Sequence, residues 1–485
     1  MYTLLQMWGV ILVLLKFLHM DFVPVIANKL STDVAAINLL LSIFMCYPLA
    51  LIYHKVVRKL TSNNNLKHVY FIAMGLDMAY FNFGLTLYHN TIAIMVLFVT
   101  NNVVKPGRNH CLITFFFNMG YLVAGYVYTE SENYDITWTM PQCVITLKLI
   151  SLSFDLWDGA KEAAGEELSV NQKKTAIKTL PSLMEIFGYV YFPACFLVGP
   201  IFSFKRYTAF VSDTFPLDDK AAVQKRTVDS MKTLGSGLLC LAFYQIVGTY
   251  FYMDYMFTDE FLNLNIFSRH IYCGIWSYGA LSKYISCWLL TEGACILFGL
   301  SYNGTVKDQT TWDACRNVKL VRFITSTKFQ HYIDSFNCNT NYFAAEYIYK
   351  RLKFFGNKNI SQFATLFFLA LWHGVNSGYY ATFFNEFMLI LFEKQFEDIF
   401  KRTKLYDAAN FKPYMKYVWF VVFKFYTLIY MGWSLTPFTL KLENKWLYVY
   451  STMWFSGYVL FLPWAFCYKP ILLHLIKKFN LYKQN

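Results

Sequence analysis

Apolar residues along this chain neither alternate with polar ones nor keep to a narrow stripe; they come in long runs. Clear runs lie near residues 33–53, 68–88, 111–128, 143–157, 180–203, 234–257, 415–435 and 446–468, and less regular ones cover 1–24, 264–300 and 359–400. A helix that crosses the hydrocarbon core of a bilayer needs about 20 predominantly apolar residues. The pattern therefore predicts an all-α, polytopic integral membrane bundle with roughly ten to twelve crossing or re-entrant helices. Membrane barrel strands would show about ten residues of strict alternation, which this sequence lacks. The first run, MYTLLQMWGVILVLLKFLHM, has neither the basic start nor the small-residue cleavage site of a signal peptide, so it reads as a retained first helix.

The polar stretches between the runs divide little. The longest, 158–178, 204–232 and 302–341, are too short for a soluble domain, and no linker or internal repeat splits the chain. A single membrane domain over 1–485 is expected. Within it, NYFAAEYIYKRLKFF (341–355) reads as an amphipathic helix at the interface or entering the bundle obliquely. Glu346 and Lys350, four apart, can pair on one of its faces. A plain connector helix is the alternative.

Composition strengthens the membrane reading. The chain is 56% hydrophobic, 20% aromatic and only 15% charged, against roughly 25% charged residues in soluble domains. The net charge of +13 does not point to nucleic acid, because Lys and Arg gather in short loops such as HKVVRKL (54–60), FKRY (204–207), VQKRT (223–227) and YKRLKF (349–354). Basic loops mark the cytosolic side and meet anionic lipid there; the acidic TESENYD (129–135) fits the opposite face. The eleven cysteines are scattered without metal-type spacing and read as packing residues.

One ionisable residue changes the picture. His373 ends the apolar run Phe363–Trp372 and precedes Gly374, Asn376, Ser377 and Gly378. Histidine deep in a membrane segment is costly unless it serves a site or a wet cavity. Burial favours the neutral ring, the form a general base needs. Gly374 and Gly378 lie four apart and on a helix would open one face to close approach. A histidine bonded to a neighbouring helix is the plainer reading. Upstream, DSFNCNTNYF (334–343) places Asn337, Asn339 and Asn341 within five residues, a pattern for a turn or broken helix whose amides can orient a histidine or meet an oxyanion. A transporter remains the rival from another class, since polar groups in interrupted helices also line substrate pathways.

The pair FNCNTN (336–341) and LWHGVNSGY (371–379) resembles the membrane-bound O-acyltransferase family, and WHGxxxGY resembles its lysophospholipid branch. YDITWTMPQCVITLKLISLSFDLWDG (134–159), LVGPIFSFKRY (197–207), YNG with WDACRNVKL (302–304, 312–320) and YIYKRLKFFGNK (347–358) carry the same resemblance. It implies acyl-CoA and a lysophospholipid as substrates, lysophosphatidylcholine first and also the ethanolamine and serine forms, acylated at the free sn-2 hydroxyl; a sterol, diacylglycerol or protein acceptor, as in related acyltransferases, is the alternative. His373 takes the place of the family histidine that activates a hydroxyl, and Asn337 that of the family asparagine. Trp372 and Asn341 stand beside them as expected substrate-binding positions, with Arg316, Lys350, Arg351 and Lys353 expected to meet CoA phosphates. For each cation, ordinary anchoring at the cytosolic face is the alternative. The resemblance further implies phospholipid remodelling in the endoplasmic reticulum membrane, direct transfer without metal or cofactor, and membrane lipids as surroundings; a homodimer is compatible with it. The sequence departs at Phe343, where tryptophan is common, and at Glu346, where a basic residue is familiar. Asp155, Trp157 and Asp158 in FDLWDG are expected to support the fold.

Overall fold

The computed structural model describes residues 22–29, 32–130, 136–307, 309–409 and 412–483. Most of the expected first helix and the 131–135 part of the acidic connection lie outside them. Regular structure in the described chain is helical apart from one small hairpin, Thr305–Val306 paired with Gln309–Thr310, and an isolated bridge between Thr403 and Tyr482. Among the described residues, six helices are long and apolar enough to cross a bilayer: Val34–Leu60, Asn64–Val103, Arg108–Tyr128, Lys220–Phe257, Met415–Leu440 and Ser456–Lys478. Thr139–Ala163, Ile266–Phe298 and Ser377–Lys401 are of comparable length, but ionisable residues such as Asp155, Glu292 and Glu386 interrupt them.

The chain folds into two compact units, each drawn from three segments. The first comprises Met1–Leu239, Ile285–Asn317 and Tyr342–Arg351. Its core is aromatic: Phe71 lies 5.0 Å from Tyr53 and 4.8 Å from Phe192, whose ring is 5.0 Å from Phe298. The run at 180–203, which reads as one spanning helix, is instead broken into Leu183–Val190 and Pro193–Phe196. Proline lacks the N–H that would continue the helix and pushes the residue before it out of the helical region. Phe192 is accordingly non-helical, with ψ 116°.

A polar lattice is buried in this unit. Tyr347 Oη donates to Asp155 Oδ1 at 2.8 Å, and Gln172 Nε2 donates to Asp158 Oδ1 at 2.9 Å. Arg351 grips both Asp158 oxygens and lies 4.9 Å from the Phe154 ring centre. The aspartates of FDLWDG thus act in the fold, as their sequence setting suggests.

The second unit comprises Cys240–Tyr284, Val318–Asn341 and Leu352–Asn485. Its centre is Trp433, fully buried and stacked on Tyr450 at 5.2 Å. The Tyr450 hydroxyl donates to Trp433 O at 2.6 Å and accepts from Asn385 Nδ2 at 2.8 Å, so the helices Ser377–Lys401, Met415–Leu440 and Glu443–Thr452 are pinned by one phenol.

The amphipathic stretch at 341–355 is helical but unevenly wound. An α-turn at Cys338–Phe343 widens into a π-helical turn at Ala344–Tyr349 and tightens to 3-10 at Lys350–Phe355. The expected Glu346–Lys350 ion pair forms.

Candidate active site

His373 is the last residue of the helix Lys358–His373. Asn357 starts that helix, its side chain accepting from the Asn359 and Ile360 N–H groups at 2.9 and 3.4 Å, as a capping asparagine does. Gly374 ends it at φ 151°, a conformation that excludes most side chains. A Cβ there would also meet the Tyr379 ring at 2.6 Å. The next helix, Ser377–Lys401, begins after the extended Asn376.

Gly374 and Gly378 therefore do not share a helical face, contrary to the reading from their spacing. The turn at Gly374 separates them, and each has its own close neighbour. Gly378 lies against Met415–Leu440, where a Cβ would fall 2.0 Å from Pro437 O, and its N–H donates to Lys441 O at 3.0 Å. That contact carries Phe438 into the site.

The imidazole of His373 is walled by rings. Trp372 stands edge-on at 4.6 Å and Phe438 edge-on at 5.0 Å, while Phe383 and Tyr379 lie roughly parallel at 5.5 and 6.0 Å. The residue is half-buried, and no hydrogen bond reaches either ring nitrogen among the described residues. Other histidines in the protein differ. His54 Nε2 lies 2.9 Å from Phe298 O, His68 Nδ1 2.7 Å from the Tyr207 hydroxyl, and His110 Nε2 2.7 Å from Asn101 Oδ1. His270 uses both nitrogens, on Ile266 O and Ser456 Oγ. Of the histidines inside the apolar packing, His373 alone keeps both nitrogens for something else among the described residues. Such a group can take a proton from a bound hydroxyl.

Asn337 belongs to the same unit and adopts φ 50°, a left-handed conformation that asparagine tolerates better than most residues. It breaks the chain between the short helices Phe329–Ile333 and Cys338–Phe343, as the clustered asparagines suggest. Asn341 holds this turn. Its N–H donates to Asn337 O at 3.0 Å, and its side-chain amide donates to Ile333 O and Phe336 O at 2.7 and 2.9 Å. Both amide bonds of Asn341 thus go to backbone, where it fixes Asn337 in place.

The expected cations separate into two groups. Arg316, Lys350 and Arg351 lie in the first unit and each has an acidic partner: Asp313 at 3.4 Å for Arg316, Glu346 for Lys350, Asp158 for Arg351. Lys353 lies in the second unit, exposed and without an ion pair among the described residues. Tyr379, Phe383 and Phe438 were not singled out by sequence reasoning as walls of the site. Tyr379 and Phe383 are four apart and visible in principle as one helix face. Phe438, 65 positions beyond His373, has no local signal.

Known proteins resemble this chain over most of its length. Residues 123–438 match the model of the MBOAT, membrane-bound O-acyltransferase family, a span that includes both Asn337 and His373. The chain is 40% identical over 455 residues to lysophospholipid acyltransferase 5 of Drosophila melanogaster, covering 93% of this chain and 90% of that protein. It is 40% identical over 464 residues to lysophospholipid acyltransferase 5 of Homo sapiens, covering 94% of each. The protein of the same name from Caenorhabditis elegans is 30% identical over 457 residues, 93% of this chain and 95% of its own. With a predominantly helical fold, several membrane-length helices and a matching family model over most of its length, this chain belongs to the membrane-bound O-acyltransferase family.

Proposed function

We propose that this protein is an acyl-CoA:lysophospholipid O-acyltransferase of the endoplasmic reticulum membrane, serving phospholipid remodelling, with lysophosphatidylcholine its first acceptor and the ethanolamine and serine forms also used. The observation that carries the reading is the unbonded imidazole of His373 inside its wall of rings. The names of the relatives support the choice of acceptor.

In this reaction the free sn-2 hydroxyl of the lysolipid gives its proton to His373 as its oxygen attacks the thioester carbonyl of acyl-CoA. The new C–O bond produces a tetrahedral oxyanion, to which the Asn337 amide donates. As the C–S bond breaks, the CoA sulfur takes the proton back from the imidazolium, leaving phospholipid and CoA thiol. No acyl-enzyme, metal or prosthetic group enters the sequence, and His373 is neutral before and after. Trp372, edge-on to the imidazole, fixes its plane and lies against the reactants. Asn341 serves the substrate indirectly through the Asn337 turn. Lys353 is the cation available to CoA phosphates without breaking an ion pair; Arg316, Lys350 and Arg351 would first have to leave their acids.

The test supplies membranes containing the protein with labelled acyl-CoA and lysophosphatidylcholine. Substituting His373→Ala should lower phospholipid formation about 1,000-fold, the scale of a lost general base, with the protein still present at wild-type level. Robust transfer by the variant would overturn the assignment of His373.

A further inference from the structure

The helix that follows His373 carries four acids, and three are accounted for. Glu393 accepts the Phe329 N–H at 2.9 and 3.1 Å, Glu397 pairs with Lys328 and Lys401 at 2.7 Å each, and Asp398 is exposed. Glu386 is none of these. It is half-buried, and no hydrogen bond or ion pair reaches it among the described residues. A carboxylate left unmatched in the apolar part of a membrane protein is costly and marks a place where a cation or a functional partner completes it.

Its position narrows the partner. Glu386 follows Tyr379 by seven residues and Phe383 by three, so the three side chains lie along one helix face. Tyr379 and Phe383 are the rings that lie against His373. The carboxylate therefore stands one helical turn, about 5 Å along the axis, beyond the ring wall of the reacting histidine. An acceptor whose hydroxyl is at His373 extends its headgroup from the neighbouring glycerol carbon through a phosphodiester. In choline and ethanolamine lipids that arm ends in a positive nitrogen. Ring faces beside a carboxylate are the surroundings such a cation favours.

We propose that Glu386 is the headgroup-cation subsite of this enzyme, selecting acceptors whose headgroup ends in an ammonium. The inference rests on the lysophospholipid reading above. Glu386 takes no part in proton transfer; it neutralises the ammonium while Tyr379 and Phe383 contact its carbon shell. Acceptors with uncharged polyol headgroups, such as glycerol or inositol, leave the carboxylate unmatched and are disfavoured.

Wild type, Glu386→Gln and Glu386→Asp are compared in membranes with one labelled acyl-CoA and two acceptors, lysophosphatidylcholine and lysophosphatidylglycerol. The readout is the ratio of kcat/KM between them, which does not depend on how much folded enzyme each preparation holds. Glu386→Gln should lower the choline-to-glycerol ratio about tenfold, mainly through KM for the choline lipid, and Glu386→Asp should retain part of the preference. A ratio unchanged in Glu386→Gln overturns the inference, as does an equal loss on both acceptors. Wild-type enzyme that acylates neither lipid would reject the lysophospholipid reading itself.

Discussion

Two regions of this protein keep ionisable groups away from water, and they treat them in opposite ways. Around Asp158 in the first unit, glutamine and arginine donate into both carboxylate oxygens and match the charge, while Tyr347 donates to one oxygen of the neighbouring Asp155. Around His373 in the second unit, the neighbours are rings that enclose the imidazole without bonding to it. A completed polar network gives rigidity. A group left uncompleted keeps its lone pair for a substrate. The difference separates Asp158 of FDLWDG, whose hydrogen bonds serve the fold, from a histidine that bonds to none of its described neighbours and is the one proposed to react.

The sharpest way to break this comparison is to open the lattice. Asp158→Ala leaves the Arg351 guanidinium, 18% exposed, without its partner. It should cost about 3 kcal/mol of stability, seen as a lower thermal midpoint in detergent, while turnover per folded molecule stays close to wild type. A large fall in turnover at unchanged midpoint would erase the distinction between the two regions. Next in size, Asn337→Ala should lower kcat about 100-fold, as loss of one oxyanion donor does, and leave KM for both substrates within about twofold. Equal effects on stability and turnover would instead class Asn337 with the lattice. The smallest effect is expected from Lys353→Ala, which should raise KM for acyl-CoA about threefold at low salt. The difference should shrink as salt screens the charge.

Much of the architecture could be read from the chain because the bilayer forces it: an apolar run of sufficient length is helical whatever it packs against. The run at 180–203 misled because Pro193 interrupts a segment whose hydropathy remains uniform. His373 was legible for the same energetic reason as the spans, since a lone imidazole in an apolar run calls for an explanation. Its walls were less so. Gly374 and Gly378 have helical spacing, yet Gly374 takes φ 151° with the Tyr379 ring packed against it, which the spacing does not report. Arg351 looked like a phosphate ligand on charge and position, whereas its partner lies 193 residues earlier. Pairing across such a separation is decided by packing, and spacing carries no trace of it.

The place of His373 at the very end of its helix has a consequence for the proposed reaction. Peptide dipoles aligned along Lys358–His373 leave a partial negative charge, about half an electron, at that terminus. While the ring is neutral this field has little to act on. In the proposed transfer the hydroxyl proton would produce an imidazolium beside the carbonyl end of the helix, where the backbone would offset part of the new positive charge. On that proposal the apolar pocket of rings disfavours a charged imidazole at rest, and the helix beneath it favours the charge that would appear only during transfer.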